Sequence, residues 1–513
     1  MSKLRQDPSD EAELAKLLQK KRTFQKEREA LELRIEEIDH DMIEIQAKYG
    51  AIYNKRASVL KLPTEVTCMI FSCAAGYPME GDSEDGNHLL LEVTVSHVCC
   101  QWRSISLAFP QLWANFSYDG PKSTHHVPLD RLGAYLERSS AQPLELYLNF
   151  RGGNVSQLLA NSLALLEKTL SHVTRWKCVT ILSDLCTPLR DFLSMLDSAS
   201  APNLEHFALC CDIPNEVHEP IVGLQASIFT NGAPNLTSVM LDCSSDRCLP
   251  PLSNITTLRL EAVSGAQTPF SWSTFIDILL LPYLTNVSLC GEVFELPYNA
   301  ATFGLITMNN LKHFRYSGTE GLAFFLPYFR APLLESLVLQ NDWLPEDFGV
   351  SAELYVFPSL RSVSLIETTA ATPQVALHFA RMTESATEIL FSQDELDESL
   401  IMSLTNLSLT STNFWTKVKL LTCNAPFQFH ISHFTAFARD RPKNDLVLRI
   451  FDTIEKYWKD EYPEEYDALA EVCTIEAMDS EDNPLIKNSM WPPGEYSPAY
   501  LHVDEDPFDI NPL

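Results

Sequence analysis

Three features of the 513-residue sequence predict an α/β chain built in successive parts. A seven-residue beat of apolar residues runs from Leu14 to Ile52, two short helical patterns follow it, and a six-residue apolar core then recurs nine times. Length alone argues against one compact core, since single cores rarely grow beyond about 250–300 residues. With 45% apolar and 10% aromatic residues the chain can fill a core, which separates it from disordered sequences. Its 68 acidic and 38 basic side chains give a net charge of −30. A field of that sign repels nucleic-acid backbones and anionic membranes, so neither is expected as a partner.

The heptad beat places Leu17, Phe24, Leu31, Ile38, Ile45 and Ile52 in one row and Leu14, Ile35, Met42 and Tyr49 in the other. This is a coiled-coil seam, and it assigns residues 1–58 to a helix that could pair with a second copy as a homodimer. Lys21 and Arg28 interrupt the second row, so a short intramolecular helix stays open as an alternative.

Residues 59–118 read as a small all-helical module. Pro63 suits a helix start, and Val66, Ile70 and Ala74 then share one face at four-residue spacing. An acidic Gly/Ser insert around 81–87 separates this helix from a second one, with Val95, Val98, Trp102 and Ile105 on one side. Phe109-Pro110 breaks that helix, and Trp113 is expected to cover the same core.

From about residue 140 to 440 the repeated core carries apolar residues at its first, fourth and sixth positions. Its copies are WKCVTI from Trp176, LEHFAL from Leu204, LTSVML from Leu236, ITTLRL from Ile255, LTNVSL from Leu284, LKHFRY from Leu311, LESLVL from Leu334, LRSVSL from Leu360 and LTNLSL from Leu404. The intervals run from 19 to 32 residues except for a last one of 44, which can hide a degenerate copy at ATEILF, 386–391. One strand plus one helix or loop per interval predicts an irregular leucine-rich-repeat-like solenoid. The strand period of two turns the third and fifth residues of each core out of the face opposite the fourth and sixth. That outward face is mostly small and polar, with His206, Arg259, His313 and Arg315 among its residues. Around Arg259 and Arg315 it could accept an extended or acidic partner; the alternative is an ordinary solvated sheet face.

Residues 441–513 hold 18 acidic and 6 basic side chains. Leu446, Ile450, Ile454 and Trp458 predict a helix from Asp445 to Lys459 that caps the repeats, and the proline- and acid-rich remainder reads as a partly disordered, solvating tail.

Nothing in the sequence makes a case for catalysis. There is no GxGxxG, Walker-type loop, GxSxG or HExxH, so no catalytic residue and no cofactor is assigned. Cys68, Cys73, His88 and His97 are the nearest thing to a metal cluster, but their spacing is poor for ligation, and no metal is expected. The thirteen cysteines include no CxxC pair and read as small core residues of a reducing compartment. The absence of a signal-type start and of a long apolar window points to cytoplasm or nucleus.

The residues Leu62-Pro63-Thr64-Glu65, Ile70-Phe71, Val98-Cys99-Cys100-Gln101-Trp102-Arg103 and Pro110-Gln111-Leu112-Trp113 resemble, in order and content, the F-box of fungal proteins that lead into it with a coiled coil. The resemblance implies a substrate-recruiting subunit of a Skp/cullin/F-box ubiquitin ligase. Leu62, Pro63, Glu65, Val66, Ile70, Phe71, Val98 and Trp102 would then meet the Skp-type adaptor, and the repeats would hold an unknown substrate protein. Two departures stand against the pattern: the acidic insert, and the absence of the Asn/Cys that ordinary leucine-rich repeats carry after the last strand leucine. A ligase-independent scaffold using the coiled coil and the repeat surface is the other reading.

Overall fold

The computed structural model describes residues 8–54, 56–75, 90–119, 129–151, 155–183, 193–211, 223–241, 249–261, 270–291, 293–294, 304–318, 322–349, 353–392, 414–424, 431–439, 441, 445–478, 491–493, 506 and 508. The chain divides into two compact units, Met1–Leu112 and Trp113–Leu513.

The first unit opens with one continuous helix, α1 (Pro8–Asn54). Between positions 9 and 49 there is neither proline nor glycine, and strong helix formers dominate. Pairs such as Arg28–Glu32, at 3.2 Å, add a few tenths of a kcal/mol, about 0.2–0.5 each. All ten seam residues are exposed, from Ile38 at 44% to Tyr49 at 69%.

Behind it come α2 (Thr64–Ala75), α3 (Leu91–Val98) and α4 (Cys100–Leu107); the acidic insert lies outside the described residues. The expected second helix is therefore two. Cys99 between them is fully extended, with φ −158° and ψ 167°, and its Sγ accepts the Trp102 N–H at 3.4 Å, capping α4. The β-branched residues Val93, Thr94, Val95 and Val98 weaken helix on the upstream side. The break keeps Val95 and Ile105 inside but turns Val98 out, to 55% exposure. The Arg103 Nε–H, donated to the Ser96 carbonyl at 2.8 Å, joins the two pieces.

Among the described residues the second unit carries a sheet of fourteen parallel strands that follow chain order: Asn115–Asp119, Leu144–Asn149, Trp176–Ser183, His206–Cys211, Ser238–Leu241, Thr257–Glu261, Asn286–Cys290, His313–Ser317, Ser336–Gln340, Ser362–Ile366, Glu388–Ser392, Leu420–Asn424, Val447–Phe451 and Thr474–Met478. Parallel neighbours need a crossover between them, and helices such as Leu129–Arg138, Trp272–Leu279 and Pro373–Met382 lie in those intervals. Thr372 starts the last of these, its hydroxyl accepting the Val375 N–H ahead of Pro373 at N1.

The apolar comb of the sequence is the core. First-position Leu204, Leu236, Ile255, Leu284, Leu311, Leu334 and Leu360 are all buried, as are fourth-position Phe207, Val239, Leu258, Val287, Phe314, Leu337 and Val363. Opposite that comb the crossovers contribute an aromatic layer in which Phe275 stacks on Phe294 at 4.1 Å and Trp272 meets Phe325 edge-on at 5.3 Å.

The sheet is longer than the repeats suggested at both ends. It begins at Asn115, inside the stretch read as helical module, because Trp113 belongs to the second unit, edge-on to Tyr135 at 5.2 Å and under the Arg138 guanidinium at 4.3 Å. ATEILF does form a strand, Glu388–Ser392, and it pairs directly with Leu420–Asn424; LTNLSL lies outside the described residues. The expected helix from Asp445 starts as strand Val447–Phe451, and the helix runs only from Asp452 to Glu461. Leu448 and Ile450 fill the alternating inward sites of one more strand, so tertiary pairing overrides the helical spacing.

Successive strands are locked by a ladder just before the β register. The second-position N–H of each core donates to its counterpart one repeat back, from Thr237→Glu205 and Thr256→Thr237 through to Thr387→Arg361 and Lys419→Thr387. Two residues earlier, immediately before the core, stands a second ladder. The side-chain amides of Asn203, Asn235, Asn254 and Asn310 donate to the carbonyls of Thr174, Pro202, Pro234 and Pro282 at 2.6–2.9 Å. These amides satisfy turn carbonyls ahead of the strands. Each amide is expected to contribute about 0.5–1.5 kcal/mol; Asn235→Ala should lower the urea-unfolding free energy by that amount, and Asn235→Ala with Asn310→Ala by roughly twice as much.

Candidate functional site

The helical module separates interior from surface along α2. Phe71 is 1% exposed, its ring edge-on to Trp102 at 5.2 Å, and Thr67 one turn earlier is also buried. Pro63 precedes the helix, its carbonyl accepting the Thr67 N–H. Val66 (39% exposed), Met69 (66%) and Ile70 (43%) face outward together with Pro63 and Glu65, while Leu62 is half-buried. Val98 adds exposed apolar surface from α3. Of the eight residues assigned to a partner, Phe71 and the half-buried Trp102 are interior anchors. A cavity of about 510 Å³ opens nearby, lined by Ala47, Ala51, Asn54, Leu60 and Cys100 among others.

On the sheet, Arg259, Ser288 and Arg315 stand side by side on adjacent strands, in direct register. They are not open to solvent, as a substrate face would require: Arg315 is fully buried and Arg259 is 6% exposed. Their cover is the chain's own C-terminal stretch. Arg315 Nη1 donates to both Asp506 oxygens at 3.1 and 3.0 Å, and Arg259 Nη2 reaches Oδ2 of the same carboxylate at 3.2 Å. Arg315 Nε donates to Ser288 Oγ at 2.6 Å. The Arg315 guanidinium lies 4.3 Å from the Trp491 ring and 4.4 Å from that of Phe508. Phe508 itself is fully buried against Val338, Ile366 and Cys290, and its N–H donates to Asp506 Oδ1 at 3.0 Å. Burying such a ring contributes about 1.5–3 kcal/mol. The expectation of a solvating tail beyond the terminal helix is therefore corrected at Trp491, Asp506 and Phe508, where acidic and aromatic side chains match a basic, apolar-rimmed surface.

The two histidines do not join this cluster equally. His313 is on the same face two residues before Arg315, half-buried, and burial outweighs Glu335 in lowering its pKa. His206 stands two strands away from Arg259, also lowered chiefly by burial.

Other chemistry is sparse. Among the described residues no three His, Cys, Asp or Glu side chains come together to hold a metal, and no helix is long and apolar enough to cross a membrane. The Cys68 thiol is raised by burial and then by Glu65, and burial pushes Cys473 up to about 11. No protein-family model matches the chain, and no curated protein matches it.

Asp342, just after strand Ser336–Gln340, is a buried carboxyl, 1% exposed. Its Oδ1 accepts the Trp343 N–H at 3.1 Å, and among the described residues nothing hydrogen-bonds its Oδ2. Burial pushes its pKa up to about 8, offset only in part by that N–H. The folded chain therefore keeps the proton through a range in which the unfolded chain, at about 4, has lost it. Its contribution to stability falls as pH rises from about 4 to about 8 and is level outside that window. Asp342→Asn removes this dependence. Between pH 5 and pH 8 the wild type should lose about 2–4 kcal/mol relative to the variant in paired urea titrations, and parallel curves would refute the assignment.

Proposed function

We propose that the chain is a substrate-recruiting subunit of a Skp/cullin/F-box ubiquitin ligase, acting in the cytoplasm or nucleus with no active site of its own. The observation that carries the reading is the division of labour on α2. The motif's Phe71 anchors the interior, whereas Pro63, Glu65, Val66 and Ile70, with Val98 on α3, remain exposed. A module this small would ordinarily bury such residues if they served only its own stability. An apolar patch left outside marks a docking surface. The second unit supports the substrate-holding half of the reading: a long parallel sheet with one strand per repeat offers the extended surface that leucine-rich-repeat-like domains present to partner proteins. The ligase subunit would act by raising the effective concentration of substrate beside the transfer machinery.

Two variants of the full chain separate docking from folding. Val66→Asp with Ile70→Asp should reduce calorimetric binding of a Skp-type adaptor at least 100-fold while the melting temperature moves by no more than about 2 °C, since exposed substitutions have small stability effects. Phe71→Ala should instead unfold the module at a cost of about 3–5 kcal/mol. A folded wild-type chain that ignores the adaptor would rule out the ligase reading.

The exposed seam of α1 favours a second, compatible property, self-association through a coiled coil. Ile38→Asp with Ile45→Asp places charges in that seam. Sedimentation equilibrium should give twice the chain mass for wild type and the single mass for this variant; one mass for both excludes the dimer.

A further inference from the structure

We propose that Arg259, Ser288 and Arg315, with the apolar floor of Val338, Ile366 and Cys290, form a peptide-binding site for a segment of the pattern Asp-x-Phe, and that Asp506 and Phe508 are its exchangeable internal occupants. The proposal deepens the reading of the repeat face as a protein-binding surface and rests on that half of it, independently of any adaptor.

Two halves of the site recognise two kinds of group. The guanidinium of Arg315 presents its Nη1 to both oxygens of one carboxylate while Arg259 takes the second oxygen, at 3.0–3.2 Å throughout. Charge-assisted bonds of this kind select a carboxylate over a neutral amide. Ser288 aims the Arg315 fork through its 2.6 Å bond to Nε. Beside it, Phe508 fills the floor between Cys290, Val338 and Ile366. Its ring and that of Trp491 both lie against the same guanidinium, an arrangement stabilised by the ring quadrupole when water is excluded.

The ion pair itself adds less to the occupant's hold than its number of contacts suggests. Sinking both partners of an ion pair below 10% exposure, as here, costs desolvation that largely offsets their attraction. Covalent attachment supplies the remainder, because a segment on the same chain competes at a high effective concentration. A partner bearing the same carboxylate-and-phenyl pattern, presented on several contacts at once, meets the same groups and displaces it. In the structure as it stands the site is closed by its own ligand.

The test uses the full chain and a fluorescein-labelled peptide with the sequence of residues 500–513. Asp506→Asn with Phe508→Ala in the protein vacates the site. By fluorescence anisotropy this variant should bind the peptide at least tenfold more tightly than wild type, and the peptide carrying Asp506→Asn should bind it at least tenfold more weakly. Thermal melting of the variant must stay cooperative; loss of that transition makes the segment a structural part of the sheet and overturns the proposal. Equal affinity for wild type and variant, no binding to the variant, or indifference to Asp506→Asn in the peptide would overturn it too. Because no adaptor enters the assay, failure here leaves the adaptor reading to its own experiment.

Discussion

Each copy of the repeated core from Trp176 to Phe391 buries its first, fourth and sixth residues, and its strand is paired on both sides by parallel neighbours. Parallel pairing forbids a hairpin shortcut, so every repeat must travel out and back before it can add a rung. The two ladders just ahead of the strands meet this demand. The backbone ladder runs through Glu205, Thr237, Thr256, Thr285, Lys312, Glu335, Arg361, Thr387 and Lys419 and holds register where the crossover arrives. The asparagine amides two positions earlier close the turn carbonyls. Intervals of unequal length can then follow one another, because the register is kept at the start of each strand and does not depend on the length of the return path.

The same geometry explains why the outward face is chemically distinctive. Alternation along each strand leaves the fifth positions in a straight row across the sheet, and in register Arg259, Ser288 and Arg315 become contiguous although 27 to 29 residues separate them in pairs. A carboxylate placed over such a row reaches two guanidiniums at once. Burial under Trp491 and Phe508 then strengthens that electrostatic contact and raises the desolvation cost of making it. Geometric selectivity for a carboxylate is the physical outcome.

In the helical unit the governing constraint is scarcity of interior. Among the described residues its buried apolar side chains are Phe71, Val95, Ile105 and Leu112, with Trp102 half in. The extended Cys99 redirects α4 so that Trp102 meets Phe71, and in doing so releases Val98 to the surface. A backbone break of one residue thus sets both the core contact and the exposed patch. The exposed seam of α1 follows from length: a 47-residue helix has far more apolar stripe than this module can cover.

Local pattern was enough to define much of the architecture. The heptads specified α1, the 1-4-6 comb specified the buried faces of the strands, and the weak copy at 386–391 was legible because Ala386, Ile389 and Phe391 keep the spacing. Those features depend on period alone, and period is a property of neighbours in sequence. The asparagines before four of the cores, at 203, 235, 254 and 310, stand in the sequence, though their meaning requires knowing which carbonyl lies one repeat away. What the tertiary structure alone decided were the long-range choices. Val447–Phe451 became a strand because an unpaired edge was available to it, Trp113 joined the sheet unit through Tyr135 and Arg138, and Asp506 found Arg315 across 191 positions. Such contacts are set by which surfaces remain unsatisfied once the local elements have formed, and no periodicity in the chain encodes them.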